Sequence, residues 1–438
     1  MLIADENQAV ARAEHSVVAA AGHFLDSFKH PARLLIAISG GSDSTGLLVA
    51  LATLCAAGHY PDISLFACTI DHALRPGSAD EATTVSALCA RYGIPHIIRR
   101  WDGDKPATGV QAAARAKRYE LLVDAAGAAG ADAILSAHTR DDQNETIAMR
   151  AERSAAGIGL SGMADAVLLN SSVWLLRPFL GVDRAAVRAF LATRGETWID
   201  DPSNLNPLFE RARIRQREEV PTCGREAGDR LALSERAAEF LAQNVFKEHG
   251  AFALGADAIE MVFRDPAAWR GLLMLAATTG GRVHIMEAAS AERLRGFLAS
   301  GRLSRLTVGR VVFDRRREGL FLYRECRGIE PMLLTPGMAA IWDGRYRVTN
   351  RTHEAFVIGA VGNEGDDLGE NLHGPALRAL KAMPRLKSEV GTTVTDGADF
   401  MQAVIAPYRL FLPRFELPLA NALAGICDIT AFPPPPNE

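Results

Sequence analysis

The chain has few cysteines, and none are paired in sequence. Cys55, Cys68, Cys89, Cys223, Cys326 and Cys427 are scattered with no Cys-x-x-Cys among them, which excludes a zinc ribbon or a redox dithiol of that spacing. They read as reduced, mostly buried thiols, the pattern of a cytoplasmic protein. Long apolar runs are missing as well, and no stretch reaches the length of a membrane span. Met1–Ala11 carries Asp5 and Glu6 without a basic stretch followed by an apolar core, so no secretory leader is read there. Neither sign of charge is in excess. The 48 Lys and Arg against 52 Asp and Glu leave a net charge of −4, so any affinity for nucleic acid has to come from local clusters. Lysine is scarce relative to arginine, whose planar fork suits phosphate. The remaining balance, 438 residues with 48% hydrophobic and 23% charged, is that of a soluble globular protein of two to four domains.

Against these absences one segment stands out, Ser39-Gly40-Gly41-Ser42-Asp43-Ser44. It follows the apolar run Leu34–Ile38 and precedes a run of helical character, Thr45–Leu54. A small-residue turn between a buried strand and a helix presents backbone N–H groups at a helix N-terminus, where an anion is favoured. The glycines allow the turn and the serines add hydroxyl donors. Asp43 is out of place beside an anion unless it holds a divalent cation that also touches the phosphates. No Gly-Lys-Ser/Thr follows the glycines, so this is not a Walker A loop.

The first two hundred residues alternate strand and helix signals. Strands are expected at Leu34–Ile38, Ile63–Ile70, His96–Arg99, Ala133–Ser136 and Val173–Leu176. Helices are expected at Ser44–Ala57, Ala79–Arg91, Val110–Ala126, Asp142–Arg153 and Asp183–Arg194. This spacing predicts a parallel sheet covered on both faces, with ligands beyond the carboxyl ends of the strands.

Further polar groups cluster just after those strands. Asp71, His72 and Arg75 end the second. Arg115 and Arg118 share a face of the helix before the fourth. His138, Asp142 and Glu145, spaced i, i+4, i+7, form a stripe suited to a cationic amine, a metal or proton transfer. Arg211, Arg213 and Arg215 alternate, which in an extended segment makes a phosphate rail.

The loop resembles the Ser-Gly-Gly-x-Asp-Ser loop of the PP-loop ATP pyrophosphatases, which cleave ATP between the α and β phosphates and adenylate a substrate. Thr69–Arg75, Ala113–Tyr119, Ala137–Thr146, Leu175–Leu180, Asp201–Asn204 and Arg211–Arg215 together resemble the tRNA(Ile)-lysidine synthetase branch, over roughly residues 33–215. Two departures stand out: Thr139 replaces the usual second histidine, and Arg153–Gly157 lacks the usual Arg-Gly-Ser-Gly.

The resemblance implies a doubly wound parallel α/β catalytic domain over 1–215. A mainly helical tRNA-binding domain would follow over 216–326 with a terminal hairpin, Arg305–Val312 and Leu320–Tyr323, then a small mixed α/β tRNA-binding domain over 327–438 opening around Trp342–Arg347. Pro433–Pro436 reads as a stiff, disordered tail. The implied reaction uses ATP and Mg²⁺ to join free L-lysine to the wobble cytidine of a CAU-anticodon tRNA(Ile). Ser39, Gly40, Gly41, Ser42, Asp43 and Ser44 would hold the pyrophosphate, with Asp43 on the metal. Asp142 and Glu145 would bind the lysine amine, and one of them or His138 would take its proton. Arg115 would stabilise the phosphates or the adenylate, and Arg211, Arg213 and Arg215 would lie along RNA. Two rivals are a 2-thiolase, disfavoured by the missing cysteine pairs, and a non-catalytic RNA-binding protein on the same scaffold. Oligomeric state is open, with a homodimer one candidate.

Overall fold

A computed structural model describes residues 2–74, 77–153, 162–200, 214, 227–364, 371–388 and 400–438. The chain divides into two units, residues 1–227 with 434–438, and residues 228–433. Among the described residues no helix is long and apolar enough to cross a membrane.

In the first unit the apolar run at the start of the chain's strand–helix alternation forms β1 (Ala32–Ala37). It leads through α2 (Ser42–Ala56) to β2 (Ile63–Asp71), and through α3 (Ser78–Arg91) to β3 (His96–Arg100). The chain then returns along α4 (Val110–Ala129) to β4 (Ala133–Leu135) on the other side of β1, and continues through α5 (Arg140–Arg153). It ends in β5 (Ala166–Leu169), β6 (Val173–Leu176) and α6 (Arg184–Thr193). The strands run in the order β5-β6-β4-β1-β2-β3. All pair in parallel except β5, which is antiparallel to β6. Leu34, Leu35 and Ile36 alternate between the two faces of β1 yet each has no exposure, so both faces are covered, as a doubly wound sheet requires.

Each expected strand and helix of this region is present, with ends shifted by a few residues. Two elements went unread. Helix α1 (Leu2–Asp26) buries Val17, Ala21 and Leu25, spaced by four, and packs on α2 and α6. Strand β5 is four residues long, too short to show a period, and turns into β6 through Asn170 and Ser171, both with positive φ. The C-terminal tail also differs from expectation: Pro435 is buried, and Asn437 Nδ2 donates to Ser27 Oγ at 3.2 Å.

The second unit opens with helix Ala227–Asn244 and then a hairpin, β7 (Val245–Glu248) and β8 (Ala251–Leu254), in a stretch whose composition predicts only helix. Helices Ala256–Arg264, Pro266–Thr279 and Ala288–Ala299 follow. The strand expected over Arg305–Val312 is two, β9 (Arg305–Val308) and β10 (Val311–Arg315), because Gly309 and Arg310 both take positive φ and reverse the chain. With β11 (Leu320–Arg324) they complete a sheet of order β7-β8-β11-β10-β9. Two three-stranded sheets follow, packed around Leu334, Trp342, Val348, Phe356, Ile358 and Leu386. At the Trp342–Arg347 string Asp343 turns the chain between strands, and its buried carboxylate is ringed by Arg310, Arg324 and Arg345.

Of the cysteines described, Cys68 and Cys89 are buried, Cys55 and Cys427 half-buried, and Cys326 exposed, so the expectation of mostly buried thiols holds for only part of the set. Cys223, Arg75, the 154–161 stretch, Asp201–Asn204 and the arginines Arg211, Arg213 and Arg215 lie outside the described residues.

Candidate active site

β1 and β4 are neighbours in the sheet, but the chain leaves them toward opposite edges. Their carboxyl ends therefore form the crevice in which open α/β sheets bind ligands.

After β1 the chain turns at Gly40, whose φ is +84°. A Cβ there would lie 2.8 Å from Ile199 Cδ1 and 2.9 Å from Val85 Cγ2, so glycine is required both by conformation and by space. Gly41 is in ordinary extended conformation and serves as N-cap of α2 with no side chain capping the helix. The first N–H groups of α2 are thus left for an anion. Ser44 fastens the loop rather than facing outward: its hydroxyl donates to Gly41 O at 3.1 Å and accepts from Ser39 N at 3.2 Å. The Ser39 hydroxyl lies 3.2 Å from that of Ser44, and Ser39 itself is exposed. From outside the loop, Ile199 N donates to Gly40 O at 2.9 Å and Arg188 Nε to Ser42 Oγ at 3.4 Å.

After β4 the stripe expected to be helical throughout is helical in part. His138 precedes α5, in the turn, with Nδ1 2.9 Å from Ser136 Oγ. Asp142 and Glu145 lie in α5 and are both buried. Thr139, fully buried, donates to Asp142 Oδ2 from both its N and its Oγ1, each at 2.9 Å. The residue that departs from the lysidine synthetase pattern thus orients the carboxylate that follows it. One oxygen of Asp142 caps the start of α5, and the other lies on the crevice side, 3.0 Å from Arg184 Nη2.

Asp43, Asp142 and Glu145 converge on a side chain that the motifs do not contain, Arg184. Its Nε lies 2.9 Å from Asp43 Oδ2, its Nη2 3.0 Å from Asp142 Oδ1 and its Nη1 3.3 Å from Glu145 Oε1. Its backbone N donates to Asp141 Oδ2 at 2.8 Å. The guanidinium is only 18% exposed, so this is a partly buried ion cluster rather than a surface pair. Helix α6 can place Arg184 there because a Cβ on Gly46 would stand 2.3 Å from Val187 Cγ1, so α2 and α6 meet at a glycine. A signal for Arg184 did exist in sequence. A cation in the first turn of a helix opposes the helix dipole and needs an anionic partner.

The charges follow from these contacts. Burial raises the Asp43 carboxyl above its ordinary range, and Arg184 only partly offsets it. Burial also acts to raise Asp142, but Arg184, His138 and the Thr139 donors outweigh it, and its carboxyl lies lower than usual. Burial, followed by the charge of Arg177, pushes His138 down to about 3, so it is neutral at pH 7. Arg184 is raised further still: burial opposes its charge, but Asp142, Asp43 and Glu145 overcome that.

Arg115 is exposed on α4, its guanidinium 5.1 Å from the Tyr119 ring centre, and it is near enough to contribute to lowering His138. Asp71 closes its own turn, accepting from Ala73 N at 2.8 Å. Among the described residues no group of three or more His, Cys, Asp and Glu is arranged to hold a metal ion by itself.

A family model described as a PP-loop domain matches residues 13–219. The chain is 44% identical over 444 residues to a tRNA(Ile)-lysidine synthase of Rhizobium meliloti (strain 1021), covering 96% of this chain and 97% of that protein. It is 36% identical to the one from Mesorhizobium japonicum, over 93% and 95% of the two chains. To that of Bartonella quintana (strain Toulouse) it is 31% identical over 91% and 95%.

Proposed function

Because this chain belongs to the tRNA(Ile)-lysidine synthase family, we propose that the crevice between β1 and β4 carries out the two steps of ATP-dependent lysidine formation. In the first step O2 of the wobble cytidine in a CAU-anticodon tRNA(Ile) attacks the α-phosphate of ATP and pyrophosphate leaves. In the second the ε-amine of lysine attacks C2, and AMP leaves with O2.

The observation that carries this assignment is the Arg184 cluster. Three carboxylates drawn around one cation beside an uncapped helix N-terminus make a cation site next to a phosphate site, as both steps require. The α2 N–H groups with Ser39 and Ser42 hold the leaving pyrophosphate, on a loop that Ser44 fastens from inside. Asp43 is the loop's only carboxylate. Mg²⁺ takes one or two protein carboxylates and fills its shell with phosphate oxygens and water, so a single aspartate beside a phosphate nest fits it. When bound, the ion neutralises charge on the departing pyrophosphate. Arg115, on the helix facing His138, is assigned to the phosphates or the adenylate.

Asp142 and Glu145 hold the lysine side chain. At pH 7 its amine is an ammonium, with a solution pKa of about 10.4, and has no lone pair to attack with. A base must remove the proton. Neutral His138, lowered to about 3, is a feeble acceptor, and the Asp142 carboxyl is also lowered. Glu145, the third carboxylate of the cluster, is assigned as the proton acceptor, Asp142 fixes the amine, and His138 shapes the pocket through Ser136. Lysine would take up the contacts to Asp142 and Glu145 that the Arg184 guanidinium makes.

The test is incubation of purified protein with ATP, radiolabelled lysine and a CAU-anticodon tRNA(Ile) transcript. Label is expected in the tRNA with release of AMP and pyrophosphate. Tight tRNA binding without label would instead favour an RNA-binding protein. Glu145→Ala should lose roughly 10²–10⁴-fold in lysine transfer, the usual worth of a general base, with ATP–pyrophosphate exchange much less affected. Equal loss in both would show that lysine has been placed wrongly.

A further inference from the structure

Helix α6 brings a second arginine to the crevice, and the reaction above gives it no part. Arg188 stands four residues beyond Arg184, so the two share a face of the helix. Val187, Phe190 and Leu191 are buried and dock α6, while the Arg188 side chain stays partly exposed. Arg184 reaches Asp43, and Arg188 reaches the residue before it: Nε donates to Ser42 Oγ at 3.4 Å. Ser42 is the first residue of α2, so the guanidinium stands beside the uncapped N-terminus of that helix. A cation there opposes the helix dipole. The three carboxylates of the crevice are engaged by Arg184. Among the described residues the carboxylate partner of Arg188 is Asp200 alone, 3.3 Å from Nη2, and its side chain is 75% exposed, so solvent weakens the pair.

The chain holds Arg188 in this unfavourable place all the same. The segment after α6 is pinned at Glu196, which accepts from Tyr92 Oη at 2.8 Å and from Arg91 Nη2 at 2.6 Å. It is pinned again at Ile199, which packs on Gly40 and donates from its N to Gly40 O at 2.9 Å. Between these two points Trp198 puts its ring centre 5.6 Å from the guanidinium carbon of Arg188. Trp198 Nε1 donates to Asp200 Oδ1 at 3.2 Å, the oxygen that also accepts from Arg188 Nη2. Ser42 and Asp200 thus take the side-on edge of the guanidinium, Nε and Nη2. Nη1 makes no hydrogen bond among the described residues. With the second hydrogen of Nη2 it forms the end-on fork that suits two phosphate oxygens. A guanidinium and a helix N-terminus side by side favour an anion of more than one charge.

We propose that Arg188 binds the departing pyrophosphate, with Trp198 and Asp200 as the residues that position it. This rests on the assignment of the Ser39–Ser44 loop to the phosphates of ATP, and it adds a side chain that the loop itself lacks. In the first step cytidine O2 forms its bond to the α-phosphorus, the bond from that phosphorus to the bridging oxygen breaks, and the electron pair goes to pyrophosphate. Negative charge on that group therefore grows, and a guanidinium beside it stabilises the transition state more than the ground state. Arg188 has no part in the second step, which begins after pyrophosphate has left.

The test uses the full chain with R188A and R188K. Binding of inorganic pyrophosphate and of AMP, each with Mg²⁺, is measured by calorimetry. Lysine transfer is followed in a single turnover from adenylated tRNA prepared with the parent enzyme. R188A is expected to weaken pyrophosphate roughly 10–100-fold, the worth of hydrogen bonds to a charged group, and to slow adenylation by a similar factor. AMP affinity, lysine transfer and the melting temperature should keep their parental values. R188K keeps the charge without the fork and should recover part of the loss. Parental pyrophosphate affinity in R188A overturns the proposal. So does an equal loss for pyrophosphate and AMP, which describes a strut of the crevice rather than a phosphate ligand. Selective loss of pyrophosphate affinity, in a protein whose parent fails to label tRNA with lysine, keeps Arg188 on the phosphates and removes the lysidine reading.

Discussion

Asp43→Asn is expected to remove adenylation while leaving tRNA affinity and the fold in place. Asparagine keeps the shape of the side chain and its contact with Ser42, but not the charge that a divalent ion needs. Charge stabilisation by a metal at a phosphoryl group is worth several kcal/mol, and ~4 kcal/mol corresponds to about 10³-fold in rate. Arg184 retains Asp142 at 3.0 Å and Glu145 at 3.3 Å, so the crevice keeps its counter-charge and the melting temperature moves little. The measurement is formation of adenylated tRNA from labelled ATP, alongside tRNA binding. Near-normal turnover would take Asp43 off the metal, and loss of tRNA binding would mean that the residue shapes the RNA surface.

The second large effect is expected at Arg184. In Arg184→Ala three carboxylates face the same space without a cation, and breaking a buried ion cluster of this kind typically costs about 3–5 kcal/mol. A melting temperature lower by several degrees follows, which a purely structural role would also give. The distinguishing readout is ligand dependence. On the proposed reading lysine displaces the guanidinium in the parent, and its apparent affinity is then reduced by the fraction of molecules in which the site is open. Without the internal competitor, lysine or Mg²⁺ should raise the melting temperature of the variant far more than that of the parent, and the KM for lysine should fall by roughly tenfold. Equal ligand shifts in the two proteins would reduce Arg184 to a structural strut.

Most of the scaffold was legible because its signals are local. β1 is an unbroken apolar run, Val110–Ala129 is a long stretch of good helix formers, and the Ser39–Ser44 loop has glycine where φ is +84°. The acidic partners were legible for the same reason, since Asp142 and Glu145 are three residues apart on one helix. What was missed depends on distant parts of the chain. Arg184 reads as an ordinary helix residue until α6 is laid against α2, and Ile199 has no meaning until its N–H reaches Gly40 O. β5 gains its place from β6, and the break at Gly309-Arg310 depends on two residues adopting positive φ where only glycine is predisposed to it. The stripe of His138, Asp142 and Glu145 was over-extended. The spacing suited a helix, but the chain is still turning at His138.

The Arg184–Asp43 contact joins residues 141 apart in sequence. On a ribosome the phosphate loop therefore emerges long before the cation that balances it. A nascent chain ending before α6 can pair β1 with β2 and β2 with β3, yet its loop lacks both the Arg184 guanidinium and the Ile199 amide. The crevice is completed by α6 and the segment after it, which makes its assembly a late and non-local event with the loop-closure cost that such contacts carry. Until then the buried carboxylates lack their native counter-charge, and an incomplete product of synthesis is poorly equipped to capture nucleotide.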